Sequence, residues 1–136
     1  MQLSKELIYF LALQKCRNSK VWSIHGLFVN FADKSRDYPE YCRDVKFDID
    51  LLDPIREELN EKWISCKEYH KSNEYLYKHE FLKHSSCTEH PMKQLDYFNI
   101  TLKLFDEEKS KGFHHCKGNK CMIEIDHNRL HNVTFM

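Results

Sequence analysis

Residues 75–87, YLYKHEFLKHSSC, set two histidines, a glutamate and two lysines within one helix-length segment. Taken as a helix at 100° per residue, the segment places His79, Lys83, Glu80 and His84 at about 0°, 40°, 100° and 140°, all on one arc. Leu82 and Tyr75 fall toward the opposite side, with Phe81 at its margin, so a core face is expected behind the charged one. Two imidazoles, a carboxylate and an ammonium within two turns are groups that phosphoryl chemistry uses. Histidine gives or takes a proton near neutral pH, and lysine neutralises charge growing on phosphoryl oxygens. On the arc alone, a solvated helix face with i,i+4 pairing is the plainer reading.

Upstream, Leu7–Gln14 is a short, bulky, continuous apolar run, as expected of a buried strand. Val21–Asn30 alternates as a second strand, with Trp22 and Ile24 on one face and Ser23 and His25 on the other. His25 therefore points away from Trp22, and Gly26 beside it permits close backbone approach. Phe31–Val45 has no period and holds Pro39, so it reads as a loop. Asp53-Pro54 reads as an N-cap followed by proline at the first helical position, with Ile55, Leu59 and Trp63 along one face. Downstream, Leu95, Phe98, Leu102 and Phe105 mark a later helix that Gly112 ends. The Lys/Glu-rich run Asp106–Lys111 reads as its solvated end. In Cys121–Asp126, Ile123 and Ile125 alternate with Glu124 and Asp126, giving a half-buried last strand. The order strand, strand, loop, three helices, strand predicts an α+β fold.

The 136 residues fit a single domain, large enough to bury about two-thirds of the unfolded surface. Twenty-one basic against 21 acidic residues leave zero formal charge, with nine histidines uncounted, which argues against a protein held to nucleic acid by charge alone. An apolar share of 41% excludes a disordered chain. No apolar run approaches the roughly 18 residues that cross a bilayer. Leu7–Leu13 follows Lys5 as in a leader, yet Glu6 interrupts the positive flank and no small-residue cleavage site precedes Cys16. Six cysteines allow 15 pairings, and none forms a CxxC. The triplets Asn99-Ile-Thr and Asn132-Val-Thr fit a glycoprotein on a secretory route.

His25 changes the balance at the helix. The segments WSIHGLF (22–28) and KHEFLKHSSC (78–87) together resemble the two catalytic segments of the ribonuclease T2 family. One carries its histidine in Ile-His-Gly-Leu-Trp-Pro, the other in Lys-His-Glu-x-x-Lys-His-Gly-Thr-Cys. Leu7–Gln14 resembles the family's first strand, and Tyr38-Pro-Glu-Tyr-Cys42 a cysteine-bearing loop. Asp96-Tyr97-Phe98 resembles the helix after the second motif, and Cys116 through Ile125 the final strand region. The resemblance covers most of one domain, residues 1–136, abridged between about 106 and 115.

The resemblance implies an α+β fold with a central antiparallel sheet and packed helices. It implies an endoribonuclease, needing no metal or cofactor, that cleaves single-stranded RNA through a 2′,3′-cyclic phosphate. By position, His84 takes the proton from the ribose 2′-OH and His25 protonates the departing 5′-oxygen. His79 helps hold the phosphate, while Glu80 and Lys83 stabilise the transition state. Phe28 stands where the family tryptophan stacks on a base, Asn30 where an aspartate often contacts one, and Tyr38 is a candidate second stacking group. Ser85-Ser86 replace Gly-Thr, and Phe81 and Leu82 replace an outer Trp and Glu. The resemblance further implies a Cys42–Cys87 disulfide, with Cys121 the nearest partner for Cys116. Cys16 and Cys66 are either an unusual pair or free thiols. A monomer is expected, without DNA or membrane partners, in an extracellular or lysosomal-type compartment, its leader absent from this chain. The alternative is a catalytically silent relative that binds RNA or signals. His114, His115, Cys116, Cys121, His127 and His131 suggest a zinc module, but the gap from Cys121 to His127 is far shorter than finger spacing, and a disulfide with surface histidines is the plainer reading.

Overall fold

The computed structural model describes residues 6–33, 38–69 and 71–134, with backbone alone for 131–134. Two long strands, β1 (Leu7–Lys15) and β2 (Trp22–Phe31), pair antiparallel, and β1 pairs on its other side with β4 (Lys120–Ile125). A two-residue strand, β3 (Cys116–Lys117), completes the order β2-β1-β4-β3, so β2 is an edge. The helices are α1 (Arg56–Lys62), α2 (Asn73–His84), α3 (Gln94–Ser110) and α4 (His127–Thr134). This is the expected α+β architecture on an antiparallel sheet. The hairpin strand β3 and helix α4 are additions to the sequence reading.

Tyr9, Leu11 and Leu13 of β1 meet Val29, Leu27 and Ile24 of β2, and all six enter the core. Strict alternation would put Ile24 and Leu27 on opposite faces. Both face inward because Ala12 pairs with Gly26 while Leu13 pairs with Ile24, leaving His25 as the extra residue of a β-bulge. The expected separation of His25 from Trp22 survives. The bulge adds a phase change that sets Phe28, in place of Leu27, on the side of His25.

Beneath the sheet lies an aromatic cluster of Trp63, Tyr77, Phe81, Tyr97 and Phe98, its ring centroids 4.9 to 6.1 Å apart. Each such pair adds about 0.5–1.5 kcal/mol beyond the area it buries. The α3 face predicted from Leu95, Phe98, Leu102 and Phe105 is present but wider, since Tyr97, Ile100, Thr101 and Leu104 are buried too. Gly112, at φ +88°, follows the helix end and bonds back to Lys109 O, the left-handed stop expected of it.

Three expectations are corrected. Asp53-Pro54 does not begin a helix: both lie inside a 3₁₀ run, Ile49–Ile55, that Asp48 caps by accepting from Asp50 N at 3.0 Å. The Asp53 carboxylate instead accepts from Arg56 at 2.7 Å. Asp106–Lys111 is not wholly solvated, because Glu108 is buried against Arg129 of α4 at 2.6 Å. That ion pair seats α4 on α3, with Lys111 a further partner at 3.5 Å. Tyr75 is not a core residue; it is exposed, and its ring stacks on His79 with centroids 6.0 Å apart. An i,i+4 spacing places it there.

Candidate active site

The arc on α2 splits in two. Glu80 and His84 turn inward with Tyr77 and Phe81, while His79 and Lys83 stay half-buried at the rim. On the helical wheel the buried four span about 100° to 200°, so the inward face overlaps half of the charged arc. The helix packs along the edge strand, Tyr77 and Phe81 entering the aromatic cluster and Glu80 and His84 lying over β2.

Glu80 joins the two motifs. Its Oε1 lies 3.1 Å from His25 Nε2 and its Oε2 lies 3.1 Å from His84 Nε2. Burial pushes the Glu80 carboxyl upward, but the bonds and charges of His25 and His84 outweigh it and hold the group at about 2. An ionised carboxylate only accepts, so a ring nitrogen that pairs with it does so as N–H, although Glu80 Oε2 is buried without a well-aligned hydrogen bond among the described residues. His84 Nδ1 has no protein partner among the described residues.

Phe28 lies against both rings, stacked on His84 with centroids 4.2 Å apart and edge-on to His25 at 5.1 Å. Gly26 admits the carboxylate: a Cβ there would stand 2.8 Å from Glu80 Oε2 and 3.0 Å from the Phe28 ring. The outward backbone of the edge strand is held by side chains. Trp63 Nε1 donates to His25 O at 3.1 Å, and the Tyr97 hydroxyl donates to Leu27 O at 3.1 Å while accepting from Leu27 N at 3.3 Å. Burial, then the Glu80 charge, hold the Tyr97 phenol well above its ordinary value, against the opposing hydrogen bond from Leu27 N–H. It therefore remains a donor. Sequence reasoning placed Trp63 on a helix face and Tyr97 only at the start of the later helix, and it missed these bonds to the edge strand, which only the tertiary placement reveals.

On one side of the carboxylate, Lys83 Nζ lies 3.6 Å from Glu40 and 5.3 Å from the centroid of Tyr38. Burial pushes Lys83 down, but Tyr38, Glu40 and Glu80 push it up further, so it stays cationic. Tyr41 N donates to Lys83 O, Cys42 N to Ser86 Oγ, and Arg43 to Ser86 O, which stitches this loop to the end of α2 beside the Cys42–Cys87 disulfide. Asn30 is half-buried opposite Ile8, and no contact joins it to the histidines among the described residues.

On the other side lies a pocket of about 330 Å³, bordered by His25, His79 and Glu80 and walled by Gln14, Ser65 and Tyr69. Burial, with Lys83, His84 and His25, lowers the His79 pKa despite the opposing pull of Glu80. The wall is fixed to β1 and the turn after it three times: Gln14 donates to Ile64 O, Cys16 is bonded to Cys66, and Arg17 N donates to the Glu68 carboxylate. Cys16 and Cys66 are thus a pair. Cys116 is bonded to Cys121, so neither offers a free thiolate to the metal site weighed above. The side chains of His131 and Asn132 lie outside the described residues, and Asn99 is half-buried on α3.

Known proteins resemble this chain in sequence and in fold. A model described as the Ribonuclease T2 family matches residues 5–118. Ribonuclease T2 protein rnst-2 of Caenorhabditis elegans is 36% identical over 90 residues, which cover 62% of this chain and 31% of that protein. The match therefore spans about a third of that relative's length. Human RNase T2 superposes with a TM-score of 0.59 at 22% identity, over 75% of this chain and 57% of that one. Ribonuclease MC1 from bitter gourd seeds gives 0.61 at 16% identity, over 95% and 73%. At such identities the likeness to the solved structures is one of fold.

Proposed function

The chain belongs to the ribonuclease T2 family, and from that premise we propose that it is an endoribonuclease acting on single-stranded RNA by acid–base transphosphorylation. The observation that carries the reading is one ionised carboxylate, Glu80, held between His25 and His84. Neutral His84 takes the proton of a ribose 2′-OH as that oxygen attacks the adjacent phosphorus. Protonated His25 gives its proton to O5′ as the P–O5′ bond breaks. The products are a 2′,3′-cyclic phosphate and a free 5′-hydroxyl, and the two histidines exchange protonation states.

Each histidine of such a pair contributes about 10²- to 10⁴-fold. Glu80 orients both rings and offsets the charge of whichever is protonated. His79 and Lys83 face the phosphate from the rim, and Phe28 and Tyr38 are the candidate stacking groups, with Asn30 a candidate base contact. The nucleophile belongs to the substrate, so the reaction asks for neither a protein nucleophile nor a metal. DNA, lacking the 2′-OH, is not cleaved. Three disulfides suit an oxidising compartment, extracellular or lysosomal. No described helix is long and apolar enough to cross a membrane.

The test is incubation with homopolymeric RNA in excess chelator, with products resolved by mass. Cyclic-phosphate ends are expected. RNA binding without cleavage would place the protein with the silent alternative, and cleavage lost on chelation would overturn the metal-free route.

A further inference from the structure

The pocket beside His25 is also lined by two lysines that the chemistry above does not use. Lys71 comes from the turn before α2, and Lys120 is the first residue of β4. Neither meets a carboxylate among the described residues, whereas Lys62, Lys83, Lys111 and Arg129 each do. The pocket lining holds one carboxylate, Glu80, and that group is already shared by His25 and His84. Two cations without a carboxylate partner among the described residues therefore line this hollow. Lys71 Nζ also stands 4.6 Å from the centroid of Tyr75, whose ring stacks on His79. Cation, aromatic ring and imidazole thus form a continuous run out from the reacting centre.

The pocket's position assigns its occupant. His25 lines it and His84 does not. His25 serves the departing O5′, so the nucleoside carrying that oxygen leaves through this side. The volume of about 330 Å³ takes one such unit, with Tyr69 and Leu76 offering apolar contact. The next phosphate of an RNA chain hangs from the 3′-oxygen of the same nucleoside, farther from His25. Two ammonium groups on the lining of the same pocket suit an anion of that kind as mobile point charges.

We propose that Lys71 and Lys120 form a phosphate subsite for the nucleotide on the leaving side of the cleaved bond, so that cleavage is fastest where the RNA continues beyond that nucleotide. The proposal rests on the ribonuclease reading for its direction, but one arm of its test does not depend on turnover.

Two substrates suffice: a dinucleoside monophosphate and the same dinucleotide carrying a 3′-phosphate. The 3′-phosphate should raise kcat/KM about tenfold, mainly through KM, as one charge-assisted contact would. In a Lys71→Gln/Lys120→Gln variant, checked for an unchanged melting temperature, the ratio between the substrates should fall to about one. A wild-type ratio near one, or a variant that keeps the tenfold ratio, overturns the subsite. Were the lysines only collectors of free anions, inorganic phosphate would inhibit both substrates alike and the wild-type ratio would stay near one.

The 2′-deoxy forms of both dinucleotides, which cannot be cleaved, supply the independent arm by calorimetry. Tighter binding of the 3′-phosphorylated form, lost in the variant, supports the subsite even in a protein that cleaves nothing, and then only the catalytic reading fails. Equal binding of the two forms overturns the subsite even in an active enzyme.

Discussion

His25 and His84 approach the same carboxylate at the same 3.1 Å, yet the His25 side chain is 39% exposed and that of His84 only 5%. The His25 side opens on a pocket, its ring carried by a bulge in an edge strand. The His84 side is closed, its ring at the end of a helix against Phe28. One carboxylate therefore serves two unequal environments. Under the proposed roles, the exposed ring is the acid, which solvent can reprotonate between turnovers, and the shielded ring is the base.

The largest effect should come from removing either ring. His25→Ala and His84→Ala should each lower cleavage of natural RNA about 10²- to 10⁴-fold. The two should part company on a nucleoside 3′-aryl phosphate, whose leaving group needs no proton. Much of the His25→Ala loss should disappear there, while His84→Ala stays impaired. Rescue of the second variant in place of the first would exchange the roles.

The two sides are also braced separately. Cys16–Cys66 fixes the wall of the pocket beside His25, and Cys42–Cys87 fixes the loop beside the end of α2 that carries His84. Their sequence separations of 50 and 45 residues are nearly equal, so chain entropy predicts about 4 kcal/mol of stability from each. Activity should tell them apart. Cys16→Ser/Cys66→Ser should mainly raise KM by loosening the pocket wall. Cys42→Ser/Cys87→Ser should mainly lower kcat by releasing the end of α2 from Tyr41, Cys42 and Arg43. Matching kinetic changes in both variants would mean that the sides do not act independently.

Gly26→Ala tests the point where they meet. The added methyl would press on both Glu80 Oε2 at 2.8 Å and the Phe28 ring at 3.0 Å, so one of them must shift. Overpacking of this kind costs about 1–3 kcal/mol. Activity should fall further than stability alone explains, since the displaced carboxylate orients both rings. Wild-type kinetics in a merely less stable Gly26→Ala would show that the close approach does not matter to catalysis.

What the sequence discloses follows how local each cause is. Leu7–Gln14, the Ile55/Leu59/Trp63 face and the Gly112 stop depend on side-chain period and backbone freedom, and each stands in the fold as read. The five polar positions carried over from the motif lie around Glu80 or along its rim. The bulge at His25 arises from register with β1, which no reading of β2 by itself contains. The bonds from Trp63 and Tyr97 to the edge strand, and the pairing of Cys16 with Cys66, are likewise tertiary. The helix-start error has a local cause. Asp-Pro is a good start signal, but Asp48, five residues earlier, caps the turn first and Pro54 fits within the 3₁₀ run.

The smallest expected effects are those of pH, and they separate the centre of the site from its rim. Glu80 is held at about 2 against an ordinary 4.5, so its contribution to stability is complete above 4.5 and is lost as pH falls toward 2. Glu80→Gln should remove that part of the wild-type acid transition. His79 behaves oppositely in origin: its folded value lies below 6.5, because burial and the nearby Lys83, His84 and His25 disfavour its cation. Above 6.5 it is neutral in both folded and unfolded chains and contributes nothing. Below 6.5 the unfolded chain takes the proton first, so stability declines. A bound phosphodiester reverses the balance by placing negative charge beside the ring. Binding of a 2′-deoxy dinucleotide, whose phosphate does not titrate in this range, should therefore take up a proton just below pH 6.5 and tighten by at most tenfold per pH unit. Calorimetry in two buffers of different ionisation enthalpy measures that uptake. It should shrink in His79→Gln, and an undiminished uptake in that variant would move the phosphate contact from His79 to another group.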